Sequence, residues 1–559
     1  MRGKDMKYRL FLLLSLFAWQ ACDVKDKGNY DYTPLNGVTI TFANEEANQT
    51  LEKGIDTLRI HPTVKGDIYG ENEENYEYKW FFCSGKEHEH TVVGTSKDLE
   101  WPVSFHPGSY SLYFQVIDKS TGLEWITSTG VTVFSELTQG WLVLGELPDK
   151  EVRMDMVVSK PRQGKGDTLV FIENIFDNSE LHLKGARGLI FTGYRSVKVP
   201  AVQLYLMTDD RDFRLTWGNN FWPVAEFHEF SAVEEQEVSR ETPRIRDMFP
   251  RQANVNYSLG NTMRSYTSRG VVTDCAIYMT TIGYDNSETY VNAMNHYGDK
   301  KFFKPYPMAF VQLGTRPTGN IYPLFYDMDG ECFVKPNAVY GSNATQCQKL
   351  ADKQGDPFPW NQYGRTIVYG ENLRNSTMDN YCNCVALMKD KEGEDINYYV
   401  YEFRPGSKSV FGTMLYDPVK SAGFTIDKTV AVDFDKATHY TFISSGKVVL
   451  YSVGATLYAY NYAYKTVTSM DMGADICCID ADIMKGMNVF WLATYDEGSQ
   501  KGELKYMGVD GTQTPILAVD DEVGFPVTMK IKDVEWKYGF LSIEPKGLVI
   551  KEPYKNESS

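Results

Sequence analysis

The feature that most constrains the fold is a repeated unit of three short strands in the C-terminal part of the chain. Its clearest copy has three runs rich in β-branched and aromatic residues, separated by short turn-forming stretches, at 447–452, 456–460 and 466–470. Runs of this kind predict antiparallel strands joined by hairpins. Two further copies have their runs at 489–495, 502–509 and 514–519, and at 385–389, 398–403 and 409–415. We therefore expect an all-β chain.

These units resemble the blades of a quinoprotein-like β-propeller. Their middle strands recur at intervals of 58 and 47 residues, around Tyr399, Leu457 and Leu504. Such intervals suit blades that carry long insertions. Residues 137–545 are therefore expected to form a β-propeller of about seven or eight blades, followed by a C-terminal tail over 546–559. A second array of β-sandwiches is the alternative architecture.

Residues 37–136 have a different pattern, which predicts an immunoglobulin- or PKD-like β-sandwich. Residues 108–118 alternate strictly and place Leu112, Phe114 and Val116 on one face of a strand. Trp80 lies in an aromatic run at the position where such sandwiches bury a core tryptophan. We expect this domain to precede the propeller.

Cys22 predicts how the chain is attached to a cell. Four basic residues precede an apolar run at 10–18, which is too short to span a bilayer, and the small residue Ala21 stands directly before the cysteine. This arrangement predicts a lipoprotein signal peptide over 1–21 and a lipid on Cys22. An ordinary signal peptide is the alternative. The polar residues 22–36 are expected to form a flexible tether.

The tether resembles the start of a known family. Its residues 26–32, Asp-Lys-Gly-Asn-Tyr-Asp-Tyr, are similar to those of PKD-like family lipoproteins of Bacteroidota. The resemblance extends through the first domain to the start of the second at 140–144. It implies a place at the outer membrane, lipid-anchored and facing the cell exterior, beside a SusC/SusD-type importer.

Composition excludes one class of function. The formal net charge is -17, and a strongly acidic surface repels nucleic acid and anionic lipid headgroups. We therefore expect no nucleic-acid binding, and contact with the membrane only through the N-terminal lipid.

No motif in the sequence indicates an enzyme, a cofactor or a metal. A nucleophile elbow, a zinc-binding helix, a phosphate loop and a dinucleotide fingerprint are all absent. The acidic stretches 208–212 and 327–331 lack EF-hand spacing and are interpreted as turns rather than calcium loops. The histidines at 88 and 90 are interpreted as part of a charged loop rather than a metal site. We expect no enzymatic activity, no cofactor and no metal.

Clustered aromatic and amide side chains are the best candidates for ligand contact. Rings of this kind stack on sugars or grip apolar peptide side chains, while amides form hydrogen bonds. The alternative is that the rings fill the propeller core. The candidates are Trp217, Asn219, Asn220, Trp222, Phe358, Trp360 and Tyr363.

The eight cysteines after Cys22 are expected to be mostly buried thiols, since a chain of this length does not need disulfides to fold. A bridge between Cys332 and Cys347 is the alternative.

Together these observations predict a surface lipoprotein that serves as an accessory ligand-binding subunit of a SusC/SusD-like, TonB-dependent nutrient importer. Its partners would be the transporter and neighbouring surface lipoproteins, and its ligand a peptide or a glycan. One alternative is a surface glycoside hydrolase, lyase or peptidase on the same scaffold. Another is a purely structural partner of the importer.

Overall fold

The computed structural model describes residues 35–53, 56–83, 90–105, 108–162, 165–195, 200–216, 221–230, 243–249, 264–265, 268–281, 290, 292–311, 322–338, 343–373, 384–408, 414–415, 417–482 and 487–537. The prediction of an all-β chain is confirmed. A single-turn helix, α1 (Phe227–Phe230), and short 3₁₀ turns are the helical elements of the described part.

The N-terminal domain is a β-sandwich. A five-stranded sheet in the order β2-β9-β8-β5-β6 faces the two pairs β1–β4 and β3–β7. Its strands are β1 (Val38–Thr41), β2 (Gln49–Glu52), β3 (Thr57–Ile60), β4 (Thr63–Gly66), β5 (Tyr76–Cys83), β6 (His90–Gly94), β7 (Leu99–Pro102), β8 (Gly108–Asp118) and β9 (Glu124–Phe134).

Aromatic packing fills the interior of this sandwich. As predicted, Trp80 is fully buried; its ring stacks on Phe114 with centroids 4.2 Å apart. The indole Nε1–H donates to the backbone oxygen of Ser96 at 3.0 Å, so the one polar atom of the ring is satisfied. Leu112 and Val116, on the predicted inward face of β8, are also buried.

The second domain is propeller-like: small antiparallel sheets follow one another along the chain. Its strands are β10 (Gly140–Glu146), β11 (Val152–Arg162), β12 (Lys165–Ile172), β13 (Ala186–Arg195), β14 (Pro200–Thr208), β15 (Asp212–Leu215), β16 (Pro223–Glu226), β17 (Ile245–Phe249), β18 (Arg264–Ser265), β19 (Ser268–Thr273), β20 (Ile277–Thr281), β21 (Phe325–Asp327), β22 (Cys332–Pro336), β23 (Cys347–Lys349), β24 (Arg365–Asn372), β25 (Cys384–Asp390), β26 (Tyr398–Arg404), β27 (Ser407–Lys408), β28 (Met414–Leu415), β29 (Val419–Thr425), β30 (His439–Ile443), β31 (Val448–Val453), β32 (Thr456–Asn461), β33 (Thr466–Asp471), β34 (Ile476–Ala481), β35 (Val489–Asp496), β36 (Lys501–Asp510), β37 (Ile516–Val527) and β38 (Lys530–Lys537).

Within the described ranges these strands form seven sheets of three to five strands and one two-stranded ribbon, β27–β28. The sheet orders are β12-β11-β10-β38, β16-β15-β14-β13-β18, β17-β19-β20, β21-β22-β23, β24-β25-β26-β29, β30-β31-β32-β33 and β34-β35-β36-β37. The last three sheets contain the three-strand units expected from the sequence. Each begins with one additional strand, β24, β30 or β34.

One expected strand was placed wrongly. The sequence pattern assigned 409–415 as the third strand of its unit, but the strand that pairs with β26 is β29. Lys408 and Met414 pair instead within the short ribbon β27–β28. The ribbon lies between β26 and β29 as an insertion, which explains why a count of successive runs along the chain selected the wrong one.

The first sheet of the second domain joins the two ends of that domain. β10 pairs antiparallel with β38, so that Trp141 lies opposite Trp536. The Nζ of Lys537 also donates to the backbone oxygen of Leu137 at 2.9 Å. The sheet is therefore built from the beginning and the end of the domain.

At six positions of the described chain the cysteine is a thiol and not half of a disulfide. Cys332, Cys347, Cys384, Cys477 and Cys478 are buried, and Cys275 is half-buried. The prediction of buried thiols is confirmed for these positions, and the alternative bridge between Cys332 and Cys347 is not formed. Burial raises the pKa of the Cys477 thiol to about 11, which makes it a poor nucleophile at neutral pH.

Candidate functional site

A cavity of about 1140 Å3 lies between the sheets of the second domain. We call it the inter-sheet cavity. Its wall is formed mainly by the first strands of several sheets, β17, β24, β30 and β34, together with β38. Aromatic and charged side chains share this wall; they include Trp141, Tyr306, Tyr369, Glu371, His439, Asp480, Asp482, Trp491, Lys530, Lys532, Glu535 and Trp536.

Glu371, on β24, connects two sheets across the cavity wall. Its carboxylate accepts the backbone N–H of Phe442 at 2.6 Å and the hydroxyl of Thr441 at 3.1 Å, both on β30. Removal from water outweighs these hydrogen bonds and raises the pKa of Glu371 to about 7. Glu371 therefore exchanges a proton near neutral pH.

Two carboxylates on β38 connect that strand to the next sheet. Asp533 accepts the backbone N–H of Leu189 at 2.5 Å, and Glu535 accepts that of Phe191 at 3.2 Å. On the edge away from β14, β13 pairs with β18 only at its last two residues, and the two carboxylates satisfy donors farther along the same edge. A step of two residues on β38 matches a step of two on β13, so the two strands run in the same direction.

Three tryptophans pack around one carboxylate in the cavity wall. The ring of Trp141 lies 4.6 Å from that of Trp536 and 5.3 Å from that of Trp491, both edge to face. The Nε1–H of Trp141 donates to Asp482 at 2.9 Å, and Tyr506 donates its hydroxyl to the same carboxylate at 3.0 Å. This cluster holds β10, β34 and β38 together.

Basic groups lie at another part of the wall. Lys530 pairs with Glu497 at 2.7 Å, and Lys532 pairs with Glu146 at 3.4 Å. Burial, and then the charges of these two lysines, lower the pKa of His439. His439 is therefore neutral at pH 7, and the positive charge in this region comes from the lysines.

Four of the predicted ligand-contacting residues lie in the described part of the chain, and they differ in exposure. Phe358 and Trp360 are 4% exposed and pack in a core cluster with Phe403. These two rings therefore fit the alternative that the aromatic side chains fill the core of the domain. Tyr363 is 81% exposed and Trp222 is 37% exposed. Trp217, Asn219 and Asn220 lie outside the described residues, as do Cys22, the signal peptide, most of the tether and the C-terminal tail.

Lys420 contacts both buried rings, Phe358 and Trp360, and pairs with two carboxylates. Its Nζ lies 5.5 Å from the ring centre of Phe358 and 5.2 Å from that of Trp360. The same ammonium pairs at 2.5 Å with Asp352 and with Asp356. The rings thus form part of a structural ion-pair cluster with cation–π contacts.

The acidic stretches are turns, as expected. Asp327 ends β21, and its carboxylate accepts the backbone N–H of Asp329 at 2.9 Å and of Gly330 at 2.7 Å. Asp209 and Asp210 lie in the bend between β14 and β15. Within the described residues, no group of three or more His, Cys, Asp or Glu side chains is placed to hold a metal ion.

Sequence reasoning did not identify the residues of the inter-sheet cavity. Glu371 lies on β24, the first strand of its sheet. The sequence pattern of that sheet was recognised only from the next strand, β25, so β24 was missed. Asp480 and Asp482 offered a signal, because two acids two residues apart follow the apolar run of 476–479. A buried carboxylate is costly unless it is paired or hydrogen-bonded, so an acidic residue at the end of a buried strand indicates that hydrogen-bond donors lie nearby.

The chain matches several solved structures at low identity and low TM-score. The chain covers 99% of a quinonprotein alcohol dehydrogenase-like protein from Bacteroides thetaiotaomicron, over 88% of its own length, at 11% identity and a TM-score of 0.30. It covers 67% of an extracellular domain assigned to a hybrid two-component system of the same organism, over 87% of its own length, at 10% identity and a TM-score of 0.32. It covers 92% of the WD40 domain of SCAP from fission yeast, over 79% of its own length, at 9% identity and a TM-score of 0.24.

No curated protein matches the chain. Among the described residues, no helix has the length and apolar character needed to cross a membrane. Residues 24–177 match the model of the PKD-like family. The match covers most of the tether, the sandwich and the strands β10 to β12, so the N-terminal part of this chain is similar to PKD-like family proteins.

Proposed function

We propose that the protein is a surface lipoprotein whose second domain binds a nutrient fragment, a peptide or a glycan, in the inter-sheet cavity. The observation that carries this proposal is the cavity itself. Its volume of about 1140 Å3 lies near the upper end of the range of small-molecule sites, and its wall combines aromatic rings with a few charged groups, as such sites do.

The proposed architecture is a closed ring in which the seven sheets are propeller blades. Its support is the pairing of β10 with β38, which joins the domain's ends in one sheet, and the parallel course of β38 and β13. In a ring of this kind the first strands surround the axis. The inter-sheet cavity would then be the axial cavity of the propeller.

The proposed address is the outer face of the outer membrane, reached through a lipid on Cys22. The signal-peptide pattern before Cys22 and the polar residues after it support this address. The proposed partners are a SusC/SusD-like transporter and neighbouring surface lipoproteins; the similarity to PKD-like family lipoproteins supports them. The sandwich would act as a spacer between the lipid and the binding domain.

Purification of the native lipoprotein from detergent-solubilised membranes, with identification of co-purifying proteins, tests the partnership. We expect the transporter to co-purify with the wild-type chain and to be lost with Cys22→Ser, which cannot be acylated. Titration of the mature chain against peptide and glycan libraries tests ligand binding. A chain that is isolated alone and binds neither class contradicts the proposal; a chain that co-purifies with the transporter but binds nothing is a structural partner.

An enzyme built on the same cavity is the second candidate, and Glu371 is the observation that favours it. A carboxyl group with a pKa of about 7 can act as a general acid at neutral pH, and the hydroxyl of Tyr369 lies 3.3 Å from it. Incubation with the peptides and glycans that bind, followed by mass spectrometry, tests this candidate. Cleavage by the wild type and its loss in Glu371→Gln would favour the enzyme over the binding protein.

A further inference from the structure

The inter-sheet cavity has a lysine end, formed by Lys530 and Lys532 on β38, whose ammonium groups also pair with Glu497 and Glu146. Two neighbouring groups show which strands face these lysines. The ring of His439 at the start of β30 forms a hydrogen bond with the backbone of Cys477 near the start of β34, and the Cys477 thiol forms one with the backbone of Ile531, between the two lysines. The starts of three strands therefore meet at the lysine end.

The cavity also has a carboxylate end, formed by Glu371 and Asp480. Burial raises the pKa of Tyr369 well above its usual value, and the negative charges of Glu371 and then Asp480 raise it further. Tyr369 therefore lies close to both carboxylates. The donors to Glu371 are two hydroxyls and a backbone N–H, all neutral, so its charge is available to a ligand.

The same strands give the separation between the two ends. On β30, His439 lies at the lysine end, and Phe442, three residues later, donates to Glu371. On β34, Cys477 and Asp480 are likewise three residues apart. A strand rises about 3.3 Å per residue, so the ends are about 10 Å apart on both strands. On β38, Lys530 lies five residues, or about 16 Å, from Glu535, a further carboxylate of the cavity wall that lies outside the carboxylate end.

An unsatisfied hydrogen-bond donor lies in the wall of the cavity. Trp491 lines the cavity and is 1% exposed, and within the described part of the chain its Nε1–H has no hydrogen-bond partner. A buried donor without an acceptor costs free energy. A ligand that brings a carbonyl oxygen into the cavity would remove that cost.

We propose that the inter-sheet cavity binds a short peptide with free termini. Its ammonium group lies against Glu371 and Asp480, its terminal carboxylate lies against Lys530 and Lys532, and a backbone carbonyl accepts from Trp491. An extended chain advances about 3.3–3.6 Å per residue, so separations of about 10–16 Å between the lysines and the carboxylates of the wall select peptides of about three to five residues. This inference rests on the proposed binding function and selects peptide over glycan.

Isothermal titration calorimetry of the mature chain at pH 7 tests the proposal. The probes are unblocked penta-alanine, its N-acetylated form, its C-terminal amide and maltopentaose. We expect the unblocked peptide to bind, and each single blocking group to weaken binding about tenfold or more, because each removes a charge that the cavity pairs. Maltopentaose, which carries no charge, is expected to bind at least as weakly as the blocked peptides.

Three variants locate the effect. Glu371→Gln should weaken binding of unblocked penta-alanine about tenfold and leave binding of the N-acetylated form unchanged. Lys532→Ala should also weaken binding of the unblocked peptide about tenfold, and it should leave binding of the C-terminal amide unchanged. Glu503→Gln, on β36 outside the cavity, is the matched control and should bind like the wild type. Comparison of blocked and unblocked peptides on the wild type does not depend on how well any variant folds.

The outcomes separate this inference from the proposed function. If maltopentaose binds as well as unblocked penta-alanine, or if blocking the termini changes nothing, the cavity is a binding site but not one for peptide termini. If none of the four probes binds, the peptide inference is wrong. The library titration described above then decides whether the binding function also fails.

Discussion

Two buried carboxylates, one in each domain, have pKa values shifted in opposite directions. In the sandwich, Asp118 ends β8 and accepts from the hydroxyl of Ser120 at 2.6 Å, from its backbone N–H at 2.8 Å and from the amide of Asn36 at 3.2 Å. These donors, with the Ser120 hydroxyl first, lower the pKa of Asp118. In the second domain, loss of water dominates and raises that of Glu371. The sandwich uses its charge to fix a turn, whereas the second domain keeps a charge beside an open volume.

The difference assigns separate roles to the two regions. A carboxylate held by several local donors contributes to folding and has little capacity left for a ligand. A carboxylate that is desolvated beside a cavity is costly for folding, and such groups concentrate at functional sites. Stability measurements on single variants test this distinction.

The largest effect is expected for Trp80→Ala in the sandwich core. Removal of a fully buried indole should lower the free energy of unfolding of the sandwich by about 3–5 kcal/mol. Urea denaturation followed by tryptophan fluorescence measures this. Ile126→Ala, at a side chain that is 54% exposed on the same sandwich, is the control and should change little. Loss of ligand binding in folded Trp80→Ala would contradict the separate roles.

Glu371→Gln should have the next largest effect, and in the opposite direction. A carboxyl group with a pKa of about 7 in the folded chain and 4.5 as its ordinary value binds more protons folded than unfolded. Stability therefore falls as pH rises from about 4.5 to 7 and stays low above that. The glutamine variant should lack this loss and exceed the wild type by about 3 kcal/mol at pH 8. Thermal unfolding at pH 5 and pH 8 measures the gap, and a gap that does not grow with pH would refute this explanation.

Asp118→Asn should show a smaller effect with the reverse pH dependence. The pKa of Asp118 is lowered in the folded chain, so its contribution is present above the ordinary aspartate value and is lost as pH falls through the folded value. At pH 7 the variant should lose about 1 kcal/mol, because charge-assisted hydrogen bonds become neutral ones. The difference from the wild type should shrink as pH falls below the ordinary aspartate value, as measured by urea titrations at pH 7 and pH 3.

The smallest effect on stability is expected for Tyr363→Ala. Its side chain is 81% exposed, and replacements at such positions usually change stability by less than about 0.5 kcal/mol. Trp360→Ala, three residues away but buried, is the contrasting variant and should cost about 3–5 kcal/mol. Differential scanning calorimetry compares the two. A large loss in Tyr363→Ala would show that this ring packs against part of the chain beyond the described residues.

The sequence predicted those features that depend on neighbouring residues. The hairpins of β31 to β33 and of β35 to β37 were recognised because each strand pairs with the next one along the chain. The alternation of β8 likewise identified the inward face of the sandwich. Local patterns of this kind carry both the strand and its register.

Features that join distant segments could not be predicted in this way. The partner of β10 is the last strand of the domain, and no property of either strand indicates the other. Glu371 acquires its raised pKa from burial in the folded domain, and the inter-sheet cavity exists only where many separate segments approach. Phe358 and Trp360 show the converse, since an aromatic cluster in sequence does not reveal whether the rings face solvent or core.

The pairing of β10 with β38 also sets an order of events during synthesis. Leu137 and Lys537, which are joined by a hydrogen bond, are 400 residues apart in the chain. All strands of the sandwich lie before residue 135, so the sandwich needs no later part of the chain to fold. The sheet that begins at Gly140 lacks one strand until almost the whole chain has been made, and closing a loop of that length is slow. Until then, β10 presents an open apolar edge, and the second domain depends on its last strand to protect its first.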